Sequence, residues 1–306
     1  MVSAHDSLTK HIAIGAKGHS DEGRDFLRLS ISETGEEPRR ETMSVDEFTL
    51  KPKETATALK LSPVASAALT EFKMRVHRAS QERAAIFDVA TRPGWHDGLF
   101  VFPNQTIIGP TGILSRSVST LPGAQRSTLA CFPIDEAVYG AKYSGNGNLK
   151  GWRELCRLAK GNSRLTMAIA LAFVGPLGEL LGGDPPMIQL VGDAESGKSS
   201  IAIAAASVWG GHDSGKRKSF SETWNNTTNF LEPIAAAHDS TFLVLDETEL
   251  VDAKDSKPYP VIKKTVMRLY NGVRKGRSGQ PGRLTWWMGL LSTSNESLEE
   301  MAEDEE

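Results

Sequence analysis

Residues 192–199 read Gly-Asp-Ala-Glu-Ser-Gly-Lys-Ser, which fills every fixed position of the phosphate-binding loop G-x-x-x-x-G-K-[ST]. The spacing has a mechanism. Gly192 and Gly197 permit a tight turn that points backbone N–H groups inward at a polyphosphate. Lys198 can reach the β- and γ-phosphates, and the Ser199 hydroxyl can ligate Mg²⁺. The expected ATP-binding stretch is therefore Gly192, Asp193, Ala194, Glu195, Ser196, Gly197, Lys198, Ser199 and Ser200.

A second element carries carboxylates. Thr241-Phe242-Leu243-Val244-Leu245 is a continuous apolar run that ends in Asp246-Glu247. A buried parallel strand reads this way and presents the acids at its C-terminal edge. Asp246 is expected to join Ser199 at the metal, and Glu247 to polarise the water that attacks the γ-phosphate. A third apolar run, Leu284 to Leu291, is expected as a strand, followed by Ser292-Thr293-Ser294-Asn295. Ring-type ATPases, which this arrangement resembles, place a polar residue at the tip of the strand between the other two. Asn295 is the first choice for that role and Ser294 the second. The expected catalytic set is Lys198, Asp246, Glu247 and Asn295.

Strands and helices must hold these groups. Met187–Val191 is a short apolar strand ahead of the loop, and the Ala-rich stretch from Ser200 to Val208 is a helix whose N-terminus adds its dipole to an anion site. A short strand at Ser219-Phe220, a helix over 226–237 and another over 261–271 complete an alternation of strand and helix. That alternation predicts an α/β core: a P-loop NTPase three-layer parallel sheet of the ring-ATPase kind. Upstream, Leu149 to Ala159 reads as a helix. The apolar stretch 165–181 reads as a helix buried against the sheet, because Pro176 and Glu179 interrupt it as a membrane span. The best linker is 143–148, with two Gly and two Asn in six residues. The expected domains are thus a smaller mixed α+β packing or interaction domain over 1–148 and the ATPase core over 149–306. In the former, Asp25–Ile31 is strand-like, 65–79 is a helix, and 99–102 with 106–109 form a hairpin.

Between Asp255 and Glu296 there is no acidic residue, while Arg274, Lys275 and Arg277 fall in a Gly-rich stretch. Such a loop can neutralise a phosphate backbone, with single-stranded DNA favoured, or reach a neighbouring subunit's nucleotide as a finger. A solvated basic loop is the plain alternative. Over the whole chain of 306 residues the formal net charge is only −3, so the case for nucleic acid is local. The two cysteines, Cys131 and Cys156, have no metal spacing, and the N-terminus lacks the form of a signal peptide. Both suit a cytoplasmic protein. The scattered histidines suggest no metal site beyond Mg²⁺.

These residues resemble the bacterial and phage family catalogued as domain of unknown function 927, often labelled helicase-like. The likeness rests on Gly94-Trp95-His96, on Gly161-Asn162-Ser163-Arg164-Leu165, and on the phosphate loop with Ala206-Ser207-Val208-Trp209-Gly210. It continues through Thr223-Trp224-Asn225-Asn226-Thr227, Leu231-Glu232, Leu245-Asp246-Glu247, and Asn271-Gly272 with Lys275 and Arg277. The resemblance implies a P-loop ATPase akin to hexameric replication helicases of mobile elements; the leading expectation is a helicase-like or primase-associated DNA motor, in a homo-oligomeric ring if the lid is not required. Two departures stand out. The variable loop positions read Asp-Ala-Glu-Ser where such proteins often carry a Ser-rich sequence, and the chain ends shortly after Asn295, before the further strand and helical lid of ring ATPases. The expectation is therefore a core incomplete at its C-terminus. A nucleotide-binding regulatory or DNA-binding module without turnover is the alternative reading, and a small-molecule kinase is disfavoured by Asp246-Glu247.

Overall fold

Alternation along Asp25–Ile31 sends Leu27, Leu29 and Ile31 to one side of a strand and Phe26 to the other, and all four are buried. This strand belongs to a computed structural model of the protein. It describes residues 12–20, 23–32, 37–58, 66–110, 112–116, 118–119, 127–130, 139–145, 147–212, 219–225, 228–251, 258–273 and 285–303. The chain divides into two units. Of the described residues, those within 12–91 and 114–130 make one unit, and those within 92–113, 139–273 and 285–303 make the other. The linker expected at 143–148 falls inside the second unit.

In the first unit, β1 (Ile12–Ser20), β2 (Asp25–Ile31) and β3 (Arg39–Ser44) form an antiparallel ribbon. Ser44 accepts from Glu47 N at 3.3 Å and so starts helix α1 (Val45–Leu50), which α2 (Pro52–Ala58) and α3 (Ser66–Glu82) follow. On α3, Leu69, Phe72 and Val76 recur at helical spacing and meet Leu27, Leu29 and Ile31, with Phe48 edge-on to Phe72 at 5.2 Å. Strand β4 (Ala85–Ala90) then pairs parallel to β1.

The chain continues into a sheet of order β5 (Gly94–His96), β6 (Leu99–Val101), β7 (Thr106–Gly109) and β8 (Gly112–Arg116), in which β5, β6 and β7 pair antiparallel and contain the expected hairpin. Strands β9 (Val118–Ser119) and β10 (Ser127–Ala130) belong to the first sheet, whose order is β3-β2-β1-β4-β10-β9.

The rest of the second unit opens with α4 (Leu149–Leu158) and α5 (Ser163–Ala172), started by side-chain caps from Asn148 and Asn162. Helix α5 ends where the apolar stretch is expected to continue. A 3-10 turn over Gly175–Leu177 and the single turn α6 (Gly178–Leu181) replace it, because Pro176 cannot supply the next helical N–H. Gly175 is needed there, since a Cβ would stand 2.0 Å from the carbonyl oxygen of Thr241. Among the described residues no helix is long and apolar enough to cross a membrane.

Next come β11 (Met187–Val191), α7 (Lys198–Ala206), β12 (Glu222–Thr223) and α8 (Thr228–Ala237). Then follow β13 (Phe242–Asp246), α9 (Pro258–Tyr270), β14 (Gly289–Ser294) and α10 (Leu298–Glu303). The four strands pair entirely parallel in the order β11-β14-β13-β12. On β13, Phe242 and Val244 pack with Ala168, Ala172, Ala202 and Ala205 of α5 and α7. Leu243 and Leu245 pack instead with Leu231 and Ile234 of α8 and Ile262 and Leu269 of α9. Both faces of the strand are thus covered, which explains its unbroken apolar run. Each such side chain contributes about 1.5–3 kcal/mol by burial.

Two strands differ from expectation. The short strand near residue 220 is Glu222–Thr223, displaced toward the C-terminus from Ser219-Phe220, and Phe220 is a buried plug before it. The third strand begins at Gly289, so Trp286 and Trp287 precede it. Their groups are committed elsewhere. Trp286 N donates to Gly272 O and its Nε1 to Leu269 O, while Trp287 N donates to Asp239 Oδ1 and its Nε1 to Gly183 O. Consequently the polar run Ser292-Thr293-Ser294 lies inside the strand, buried, rather than after it.

Candidate functional site

Because the four strands run parallel, their C-terminal ends lie along one edge of the sheet. There Val191 pairs with Ser294 and Thr223 with Asp246. Strand β14 lies between β11 and β13. This order places Asn295, one residue past β14, between the phosphate-loop motif and Asp246.

The loop leaves β11 with Gly192 N donating to Ser294 O at 3.3 Å. Two of its residues take left-handed backbone: Glu195 at φ 61° and Gly197 at φ 89°. Only glycine adopts that conformation without strain, which accounts for Gly197 at the cap of α7. No side chain caps α7. Its first-turn N–H groups therefore face outward at the positive end of the helix dipole. Asp193, Ala194, Glu195, Ser196 and Ser200 are exposed, while Gly192, Gly197, Lys198 and Ser199 are half-buried. Lys198 Nζ folds back over the loop. It donates to Gly192 O at 2.6 Å, Asp193 O at 2.7 Å and Asn295 Oδ1 at 3.1 Å.

Ser199 Oγ donates to Asp246 Oδ1 at 3.2 Å. Thr293 Oγ1 donates to the same carboxylate oxygen and accepts from Glu247 N at 2.9 Å. Glu247 has left-handed backbone, φ 61°, and an exposed side chain. A non-glycine residue in that region costs of order 1–3 kcal/mol and persists only where neighbours enforce it. Here Thr293 supplies that restraint.

Sequence spacing singles out Lys198, Ser199, Asp246 and Asn295, and the fold assembles all four. Asp246, Ser199 and a hydroxyl-rich strand end form an oxygen donor set that suits a hard cation. Among the described residues no group of three or more His, Cys, Asp or Glu gathers to hold a metal. The donors fit Mg²⁺, which keeps waters and substrate oxygens and needs only one or two protein oxygens.

Three contributors do not stand out in the sequence. Thr293 orders Asp246 and Glu247. Glu249 Oε1 accepts from Asn295 N and from Ser294 Oγ at 3.4 Å, tying the tip of β14 to the turn after β13. Thr248 Oγ1 reaches Ser294 Oγ at 2.5 Å. The signal is present as a Ser-Thr-Ser end to an apolar run and as Thr-Glu directly after Asp246-Glu247. Arg274, Lys275 and Arg277 lie outside the described residues.

The chain is similar to a solved structure titled "SCCmec type IV Cch - active helicase", with TM-score 0.58 and 16% identity over 94% of this chain and 50% of that one. A second solved structure, the apo NrS-1 C-terminal region (305–718), aligns at TM-score 0.32 and 11% identity over 94% of this chain and 55% of that one. The chain spans about half the length of each. No curated protein matches it. Residues 7–285 match the profile of a domain of unknown function, DUF927, and the chain is a member of that family.

Proposed function

We propose that the chain binds Mg-ATP at the edge formed by 192–199, Asp246 and Asn295, and that it hydrolyses ATP as the engine of a helicase-like or primase-associated DNA motor of mobile-element type. The observation that carries this reading is the meeting of Lys198, Ser199, Asp246 and Asn295 around the ends of three adjacent parallel strands. In this reading residues 149–306 are a P-loop three-layer core. The solved relative described as an active helicase supports the class of motor.

Each residue then has a task. A triphosphate competes with the Gly192 and Asp193 carbonyls for Lys198 Nζ and accepts from the first-turn N–H groups of α7. Ser199 and Asp246 would hold Mg²⁺, which would neutralise charge developing on the phosphates. Glu247 accepts a proton from the attacking water, and Asn295 donates to that water or to the γ-phosphate. Single-stranded DNA is the partner this reading favours, contacted by Arg274, Lys275 and Arg277, in a ring if the chain assembles.

Glu247→Gln separates binding from turnover. It keeps Asp246 for Mg²⁺ and removes the base, so Mg-ATP affinity is expected to persist while steady-state phosphate release falls by about 10²-fold or more. Hydrolysis by the variant at the wild-type rate would exclude Glu247 as the base. Nucleotide binding without hydrolysis in the wild-type chain would instead establish the alternative, a regulatory module without turnover.

A further inference from the structure

Helix α4 carries a basic face with no role in the site above, and the turn into α5 and its first turn add two further exposed cations. Lys150, Arg153, Arg157, Lys160 and Arg164 follow one another at intervals of three and four, and all five are exposed. The opposite side of α4 is the packed one. Trp152, Leu155 and Cys156 are half-buried there, Ala159 is buried, and Trp152 Nε1 donates to Ser207 Oγ at 3.1 Å. The helix period fixes this division, since 152, 155, 156 and 159 share one side and 150, 153 and 157 the other.

Few acids accompany this charge along the chain. From 137 to 178 the sequence contains a single acid, Glu154, which pairs with Arg157. Lys142, also in that stretch, is buried against Glu222 and faces away from solvent. The cationic side chains are separated by axial steps of about 4.5 and 6 Å along α4, set by a rise of 1.5 Å per residue. A linear polyanion with charges at a few ångströms' spacing can meet several of them at once. A globular acidic partner would have to match the row with its own acids. Phe173, 44% exposed, meets Trp152 on the packed side of α4 edge-to-face at 6.1 Å.

We infer that the α4–α5 face is a binding surface for the phosphodiester backbone of single-stranded nucleic acid. It supplies a nucleic-acid site among the described residues for the motor reading above, and it takes from that reading only the class of partner. Binding here needs neither Lys198 nor bound nucleotide.

The test uses the full chain and a fluorescein-labelled oligo(dT), with anisotropy read across a salt series. A variant with Lys150, Arg153, Lys160 and Arg164 all changed to Ala is expected to bind about tenfold or more weakly near 100 mM salt. Its slope of log affinity against log salt should flatten by about 0.7 for each phosphate that is no longer neutralised. The residues are exposed, so the melting temperature and its shift with Mg-ATP should match wild type, which keeps failure here distinct from failure of the ATP reading. Lys198→Ala should leave oligo(dT) affinity unchanged. Equal affinity and slope in wild type and the fourfold variant would overturn the inference and leave a solvated face. Loss of self-association in sedimentation with intact oligo(dT) binding would also overturn it, and would assign the face to an acidic surface of a second copy.

Discussion

Ser199 Oγ, on the first turn of α7, and Asp246 Oδ1, at the end of β13, stand 3.2 Å apart although 47 positions separate them in the chain. Neither residue sets that distance alone. The parallel pairing of β13 with β14 brings Thr293 to the same carboxylate, so Asp246 is held from two sides. In the proposed reading Asp246 holds Mg²⁺, and an acid with a fixed oxygen loses less freedom on binding than one on a mobile loop.

Thr293 is therefore expected to matter beyond its own bulk. Thr293→Val keeps the shape but removes one donor to Asp246 and leaves Glu247 N without its acceptor. The side chain is buried, so the loss should be about 1–3 kcal/mol in urea unfolding. The Mg²⁺ concentration for half-maximal ATPase should rise as well, and Thr293→Ser should restore both. An unchanged Mg²⁺ requirement in the Val variant would show that Thr293 does not order the carboxylate.

The other end of β13 makes a pH prediction. Burial pushes the Asp239 carboxyl up to about 6, against the opposing pull of Arg92 at 3.2 Å, and pushes the neighbouring His238 imidazole down to about 4. In the unfolded chain these groups titrate near 3.8 and 6.5. Between pH 3.8 and 6 the native state keeps a proton on Asp239 that the unfolded state has released, so this contribution to stability falls as pH rises. Between pH 4 and 6.5 the unfolded state protonates His238 and the native state does not, so that contribution rises with pH. The two slopes oppose each other. Asp239→Asn should expose the rising one and His238→Gln the falling one, each at most about 1.4 kcal/mol per pH unit. Stability curves of the two variants that run parallel from pH 4 to 6 would contradict this assignment.

Arg274, Lys275 and Arg277 offer a further measurement. Changing all three to Ala should weaken oligo(dT) binding about equally for unrelated sequences and flatten its salt slope by roughly 0.7 for each phosphate set free. If they reach a neighbour's nucleotide instead, DNA affinity stays constant and ATPase activity loses its dependence on protein concentration. No change in either quantity leaves a solvated loop.

Much of the site is legible in the sequence, for physical reasons. A phosphate-loop motif has few backbone solutions, so Gly192, Gly197, Lys198 and Ser199 stand out through spacing. The run from Phe242 to Asp246 is apolar at every position before the acid because both strand faces are covered, and it reads as a buried parallel strand. The start of β14 is not legible. Trp286 and Trp287 have high strand propensity, but their N–H groups answer to Gly272 and Asp239, which are distant in the chain. Thr293 and Glu249 are hidden for a related reason. Their importance arises from register between β13 and β14 and from the turn after Asp246, and a single strand's pattern contains neither. The apolar stretch through Pro176 reads as one helix because its composition outweighs a single proline, yet the missing N–H breaks it.

In the proposed function residues 192–199 bind the phosphates of Mg-ATP, with Lys198 as the charged partner. Thermal unfolding of wild type and Lys198→Ala with and without saturating Mg-ATP tests it most directly. At a ligand concentration about 100 times Kd the wild type should gain about 2.7 kcal/mol of stability, seen as a clear rise in Tm, while the variant should show none. Equal shifts in the two proteins, or no shift in either, would contradict the claim.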